Sequence, residues 1–311
     1  MKKIAFLFPG QGSQSVGMGK DIFEAYDVVK ERFQEAEAIT GLPVSALCFE
    51  GPMASLTETV HLQPAVTTVN LAFLAILQQE GVKPHVSAGH SLGEYSALCA
   101  AAIVSEADAI RMVFRRGELM HREATRHQGA MAAIIGLPME TVQALVDQVA
   151  EGIVAVANHN AEKQIVITGA PGPVQQVSKL AAAERGKAIP LKVSGAWHSR
   201  LIQGAEAEFR EFLDTIVFHP PESGVVHNVT AASEAAPDRI RALMAEQLCS
   251  PVRWYDSVHR LMAEEVDTFV EVGPGKVLTG LVRKIVPGDY PCKLYNVHDM
   301  ASLEGFLQDA G

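Results

Sequence analysis

Residues 83–102 read KPHVSAGHSLGEYSALCAAA, and this stretch restricts the possible folds more than any other. Residues 84–88 suit a short strand, and residues 92–102, rich in Ala and Leu, suit a helix that can lie close on a sheet. Between them Gly89, His90, Ser91, Leu92 and Gly93 leave space only for a sharp turn. Strand, turn and helix in direct succession point to an α/β architecture whose mainly parallel sheet is covered on both faces.

The rest of the chain extends this pattern and interrupts it once. The run KKIAFLF at 2–8 closes at PGQGSQ and reads as a buried strand followed by a turn. Helices are expected over 20–39, over 63–81 with Pro64 near its first turn, and over 105–126. From about residue 129 the order becomes strand, helix, strand, strand, helix, strand: AMAAIIGL, PMETVQALVDQVA, GIVAVANH, QIVITG, PGPVQQVSKLAAAERG and KAIPLKV. That βαββαβ order is ferredoxin-like, and it is expected as an inserted small subdomain. Alternation then resumes with a helix at 199–217, a strand in GVVHNV, helices at 236–249 and 254–265, and strands in TFVEVG and KLYNV.

Composition excludes several function classes. A formal net charge of −10 over 311 residues argues against a nucleic-acid partner, because phosphate binding needs a concentrated basic surface. Any anionic ligand must be met locally, and basic residues do gather at Arg111, Arg115 and Arg116, at Lys187 and Lys192, and at Arg283 and Lys284. No apolar run is expected to reach the roughly 18 residues of a membrane span. The start MKKIAFLFPGQG does not read as a signal peptide, since Pro9 and Gly10 break its apolar stretch, so a cytoplasmic location is expected. Cys48, Cys99, Cys249 and Cys292 are scattered without metal-ligand spacing and read as reduced thiols, with no metal site. The sequence EVGPGKVLTG lacks the Gly-x4-Gly-Lys-Ser/Thr spacing of a phosphate loop and reads as a strand-turn-helix corner.

A Gly-x-Ser-x-Gly turn between strand and helix meets the structural condition for a nucleophile elbow. A helix N-terminus beneath it offers amide groups to a developing oxyanion. A serine hydroxyl is a weak nucleophile until a base takes its proton. His90 adjoins Ser91, but neighbouring side chains on a turn diverge, which leaves His198, in a loop after the last strand of the inserted unit, as the better base. No acid is obviously placed as a third member, so a Ser-His dyad oriented by a carbonyl and a full triad both fit.

The segments FPGQGSQ, GHSLGEYSAL, RRGELM, GAMAAIIGL, WHS, QLCSPVRW and EVGPGKVLTGL, in this order along nearly the whole chain, together resemble the malonyl-CoA:acyl carrier protein transacylase family. That family includes the built-in and free-standing acyltransferases of polyketide synthases. The resemblance implies an α/β-hydrolase-like large subdomain formed by residues 1–127 and 197–311, with the ferredoxin-like unit over 128–196. It implies transfer of malonyl from malonyl-CoA to the phosphopantetheine thiol of an acyl carrier protein. Coenzyme A enters as the thioester substrate, and no cofactor, metal, nucleic acid or membrane is required.

Residue by residue, the resemblance implies Ser91 as nucleophile and His198 as base. The main-chain carbonyl of Gln247 orients the histidine. Backbone N–H groups of Gln11 and Leu92 form the oxyanion hole. Arg116 holds the free carboxylate of malonyl, and Gln63, His90 and Asn160 line the substrate site. Where many members have proline or a small residue before the histidine, this chain has Trp197, which is expected to narrow the space beside the acyl α-carbon and favour malonyl over methylmalonyl. Carrier docking is expected on Lys187, Lys192, Arg200, Arg283 and Lys284. A serine thioester hydrolase of the same architecture, and a non-catalytic module that docks acyl carriers, are the competing readings.

Overall fold

The computed structural model describes residues 3–310. The chain opens with β1 (Ile4–Phe8), then α1 (Lys20–Ala25), α2 (Asp27–Thr40), α3 (Val44–Phe49), α4 (Met53–Thr57) and α5 (Thr59–Gln79). Next come β2 (Val86–Gly89), α6 (Gly93–Ala100) and α7 (Glu106–Arg126). The middle of the chain forms β3 (Ala130–Ile135), α8 (Met139–Asp147), β4 (Val154–Ala161), β5 (Gln164–Gly169), α9 (Pro171–Ala183) and β6 (Lys187–Pro190). After a 3-10 turn at Arg200–Ile202 follow α10 (Gly204–Leu213), β7 (Gly224–Val226), α11 (Pro237–Glu246) and α12 (Trp254–Ala263). The chain closes with β8 (Thr268–Val272), α13 (Val277–Ile285), β9 (Lys293–Val297) and α14 (Met300–Ala310).

Two sheets result. One is parallel, in the order β7-β2-β1-β8-β9; the other is antiparallel, in the order β4-β5-β3-β6. In β1 the period of two along a strand sends Phe6 and Phe8 into the core shared with α2, α5 and α6, while Ala5 and Leu7 face Trp254, Val258 and Leu261 of α12 on the other side. Ala5, Leu7, Phe6 and Phe8 are all buried, as a strand sandwiched between helical layers requires. In β3, Ala132 and Ile134 pack with α8 and α9, whereas Met131 and Ala133 join Met120, Trp197 and Ile202 in a cluster facing the parallel-sheet part.

The two parts are stitched together next to that cluster. Val252, just past α11, pairs with β4: its N–H donates to the Ala157 carbonyl at 2.8 Å, and its carbonyl accepts from His159 N–H at 2.9 Å. Lys284 Nζ adds a hydrogen bond to Gln164 Oε1 at 3.0 Å.

Several expected elements are corrected. The helix anticipated over 20–39 is two helices, divided at Tyr26, whose backbone is extended. Helix α5 begins at Thr59, so Pro64 lies inside it; the turn before the proline is held by Leu62 N–H on the Glu58 carbonyl and by burial of Leu62 and Gln63. The same helix is long and apolar enough to cross a membrane, contrary to the expectation from the sequence, but 89% of its apolar window is buried inside the protein as the central core helix. Helices α3 and α4, of six and five residues, carry too few turns to show a period in the sequence, and α14 was not anticipated either.

Candidate active site

Strand β2 ends at Gly89 and α6 begins at Gly93, which leaves three residues for the turn. Ser91 stands at its tip with φ of 50°, a left-handed conformation that costs a side-chain-bearing residue on the order of 1–3 kcal/mol. A Cβ on Gly89 would collide with the backbone of Gly93, and one on Gly93 with the carbonyl of Phe8, so strand and helix meet this closely only through glycine. Asn228, two residues past β7, locks the turn. Its Nδ2 donates to the Gly89 carbonyl at 2.6 Å, and its Oδ1 accepts the Ser91 N–H at 2.7 Å.

The Ser91 hydroxyl lies 2.8 Å from His198 Nε2. His198 Nδ1 lies 3.0 Å from the main-chain carbonyl of Gln247. Because a carbonyl only accepts, Nδ1 carries the ring proton and Nε2 turns its lone pair to the serine. His198 is buried, and its imidazole pKa is pushed down to about 3, first by burial and then by the positive charge of Arg116. The ring is therefore neutral around pH 7, the form a general base needs. Among the described residues no carboxylate touches it, so the serine and histidine form a pair oriented by a carbonyl.

Arg116 is 2% exposed and makes no ion pair among the described residues. Its Nη1 donates to Gln63 Oε1 at 3.0 Å, and its Nη2 donates to Ser91 Oγ at 3.2 Å and to Gln247 Oε1 at 3.3 Å. The guanidinium also sits over the Tyr95 ring, 5.6 Å from its centroid. Burial lowers its pKa from the ordinary arginine value, but an arginine starts high enough to stay charged. A buried guanidinium without an ion pair, beside a serine hydroxyl, has the chemistry to receive an anion.

A cavity of about 110 Å³ opens on these groups. Of the residues singled out from the sequence, Gln11, Gln63, His90, Ser91, Leu92, Arg116, Trp197 and His198 line it. Gln247 stands behind the wall and acts through its hydrogen bonds. Asn160 does not line the cavity, which corrects the expectation; the lining residue of β4 is Asn158, and Asn160 instead meets His90 Nε2 at 2.8 Å. The register of β4 on β5 shifts between Val156 and Asn158 and again between His159 and Ala161, so the two asparagines are not related by a regular strand. Met120, Met131, Leu191 and Val193, not anticipated from the sequence, complete an apolar wall with Trp197. The Ser91 N–H is committed to Asn228, whereas the N–H groups of Gln11 and Leu92 have no acceptor among the described residues.

A family profile described as "Acyl transferase domain" matches residues 5–297. The chain belongs to the acyl transferase domain family. A malonyl CoA-acyl carrier protein transacylase of Bacillus subtilis is 44% identical over 288 residues, spanning 92% of this chain and 91% of that one. Among solved structures, an acyl carrier protein S-malonyltransferase from Vibrio cholerae superposes with a TM-score of 0.93 at 39% identity, covering 98% of this chain and 100% of that one. A malonyl-transacylase solved in complex with its type II polyketide synthase acyl-carrier protein gives 0.95 at 37% identity, over 99% and 100% of the two chains.

In this acyl transferase, reading along the sequence missed the polar groups behind the elbow. Glu94, on the first turn of α6, looks like an ordinary acid at a helix start, and Asn228 like a loop residue after a strand. Both are 1% exposed and meet residues more than a hundred positions away, so no local spacing reveals them.

Proposed function

We propose that the chain transfers malonyl from malonyl-CoA to the phosphopantetheine thiol of an acyl carrier protein through a malonyl ester on Ser91. The observation that carries this reading is the unpaired guanidinium of Arg116, 3.2 Å from a serine oxygen that is itself 2.8 Å from a neutral imidazole. The names of the relatives above support the same substrate and acceptor.

The acyl carboxylate docks on Arg116 through paired N–H···O bonds. As Ser91 Oγ attacks the thioester carbonyl, its proton passes to His198 Nε2, and Gln247 carbonyl holds the resulting imidazolium through Nδ1–H. The free N–H groups of Gln11 and Leu92 supply the two donors for the oxyanion. Collapse breaks the C–S bond, and the departing coenzyme A sulfur takes the proton from Nε2. The second half runs in reverse: His198 takes the proton of the carrier thiol, the sulfur attacks the Ser91 ester, and the serine regains its proton. The substrate also tunes its own base, because a carboxylate on Arg116 cancels part of the charge that depresses His198. An acetyl thioester brings no such charge and leaves the guanidinium buried and unpaired, which disfavours it by about a hundredfold or more.

The larger part, 1–127 with 197–311, is read as α/β-hydrolase-like and residues 128–196 as a ferredoxin-like insert, on the strand orders described above. Trp197, packed with Met120 and Met131 on the cavity wall, restricts the acyl α-carbon to an unbranched malonyl. Lys187, Lys192, Arg200, Arg283 and Lys284 are all exposed; Lys192 lies between the cavity-lining Leu191 and Val193, and Arg200 two residues past His198, which suits docking of an acidic carrier near the mouth. No cofactor takes part. The four free cysteines agree with a cytoplasmic setting.

Initial rates with malonyl-CoA and carrier varied together test the proposal. Parallel double-reciprocal lines, with label exchange between coenzyme A and malonyl-CoA in the absence of carrier, are expected. Release of free malonate in step with coenzyme A, with none appearing on the carrier, establishes the hydrolase instead.

A further inference from the structure

The Glu94 carboxylate is a buried group that the mechanism above does not use, yet it stands at the centre of the polar contacts behind the elbow. It is 1% exposed, three residues past Ser91. Its Oε1 meets His227 Nδ1 at 2.9 Å, and its Oε2 accepts from Gln247 Nε2 at 2.6 Å and from the Asn228 N–H at 3.3 Å. Among the described residues it forms no pair with a lysine or arginine.

The bond to Gln247 has a directional consequence. Gln247 is fully buried, and its Nε2 donates to both Glu94 Oε2 and, at 3.0 Å, the Ser91 carbonyl. Both acceptors can only accept, so both amide protons are spent on one side, and Oε1 must face the other way. There it accepts from Arg116 Nη2 at 3.3 Å. Turning the amide over would set its oxygen against a carboxylate and a carbonyl, and its NH2 against a guanidinium. Gln63 holds the opposite arm in the same manner, with Nε2 on Met120 Sδ at 3.3 Å and Oε1 toward Arg116 Nη1. One amide is thus fixed by an anion and the other by a thioether.

We infer that Glu94 is a positioning residue for acyl selection, acting through the side-chain amide of Gln247 to hold the Arg116 guanidinium in the orientation that receives the substrate carboxylate. This rests on the malonyl reading above. A neutral amide at position 94 removes the anion that anchors Gln247 Nε2 at 2.6 Å and leaves the direction of this amide to the Ser91 carbonyl and to Arg116 itself, so the guanidinium is held less firmly. The His198 contact, made by the main chain of Gln247, does not pass through this amide.

The test compares malonyl-CoA and acetyl-CoA loading of the wild-type chain, E94Q and the exchanged pair E94Q/Q247E by time-resolved intact mass. In E94Q the malonyl-to-acetyl loading ratio is expected to fall about tenfold, the effect of one hydrogen bond to a charged group, with the loss in KM for malonyl-CoA. The exchanged pair restores a donor facing a carboxylate between positions 94 and 247, at the loss of the bond to the Ser91 carbonyl, and because it sets an anion on Arg116 it keeps the ratio low. A ratio within about threefold of wild type in E94Q, with both rates lowered together, overturns the inference and leaves Glu94 as support for the elbow alone. Should E94Q not fold, a wild-type ratio in the exchanged pair overturns it equally. Failure of the wild-type chain to load malonyl at all sinks the functional reading instead.

Discussion

Replacing Arg116 by alanine separates binding of the acyl carboxylate from the chemistry at Ser91. The guanidinium is 2% exposed and forms no ion pair among the described residues, so on the proposed function a bound malonyl group is its counter-ion. Breaking such a buried pair costs about 3–5 kcal/mol, and at 1.4 kcal/mol per decade R116A is expected to load malonyl about 100- to 3,000-fold more slowly. Acetyl loading moves the other way. The acetyl group never paired with Arg116, and the positive charge that contributes to the low pKa of His198 is gone, which strengthens the base. The ratio of the two loading rates therefore inverts rather than merely shrinking. Rapid-quench sampling with intact-mass detection of the acylated chain measures both rates on one preparation. R116K, which keeps a charge without the planar fork, falls between the two. An R116A chain that still prefers malonyl by a margin within about tenfold of wild type refutes the reasoning.

Three further outcomes follow from the geometry. The His198 pKa is lowered in the folded chain to about 3 from a usual imidazole value of about 6.5, so the unfolded chain binds the extra proton first. Stability contributed by this neutral ring is present above pH 6.5 and is lost as pH falls from there toward 3, while the acid limb of acyl loading lies below 6.5 and moves up in R116A; a pH series of loading rates and melting temperatures checks both. N228A removes two hydrogen bonds at 2.6 and 2.7 Å from the elbow and is expected to lower stability by about 2–4 kcal/mol, with slower loading of malonyl and acetyl alike, read by denaturant melts and intact mass. W197A opens the cavity wall at a cost of about 3–5 kcal/mol in stability and admits methylmalonyl-CoA, which competition loading measures directly.

What the sequence made legible and what it hid divide along physical lines. The elbow could be read because its requirement is local: two glycines where strand and helix touch, and a serine between them. Arg116 carried a local signal too, once helix phase is considered. It shares a face with Met112, Val113, Leu119 and Met120 at spacings of three and four, all buried, whereas the adjacent Arg115 points outward to Glu118 and Glu208. In the sequence alone that face is masked by the charges around it. Asn160 was named from the resemblance, and Asn158, two residues earlier on the same strand, could not be told from it by the period of two, which gives both the same face in a strand without the register shifts found here. Glu94 and Asn228 lay beyond reach for another reason: a buried polar group is justified only by its partners, and theirs arrive from across the fold. The start of α5 was misplaced because Pro64 was given the usual first-turn position, while burial of Leu62 and Gln63 carried the helix past it.

On the proposed function, one serine oxygen carries the acyl group between two thiols. Incubating the chain with malonyl-CoA in the absence of carrier, followed by protease digestion and peptide mass mapping, addresses it most directly. A single malonyl increment on the peptide containing Ser91, discharged on addition of carrier thiol and missing from S91A, is the expected result. An increment on another residue, or an S91A chain that loads as fully as wild type, contradicts the account.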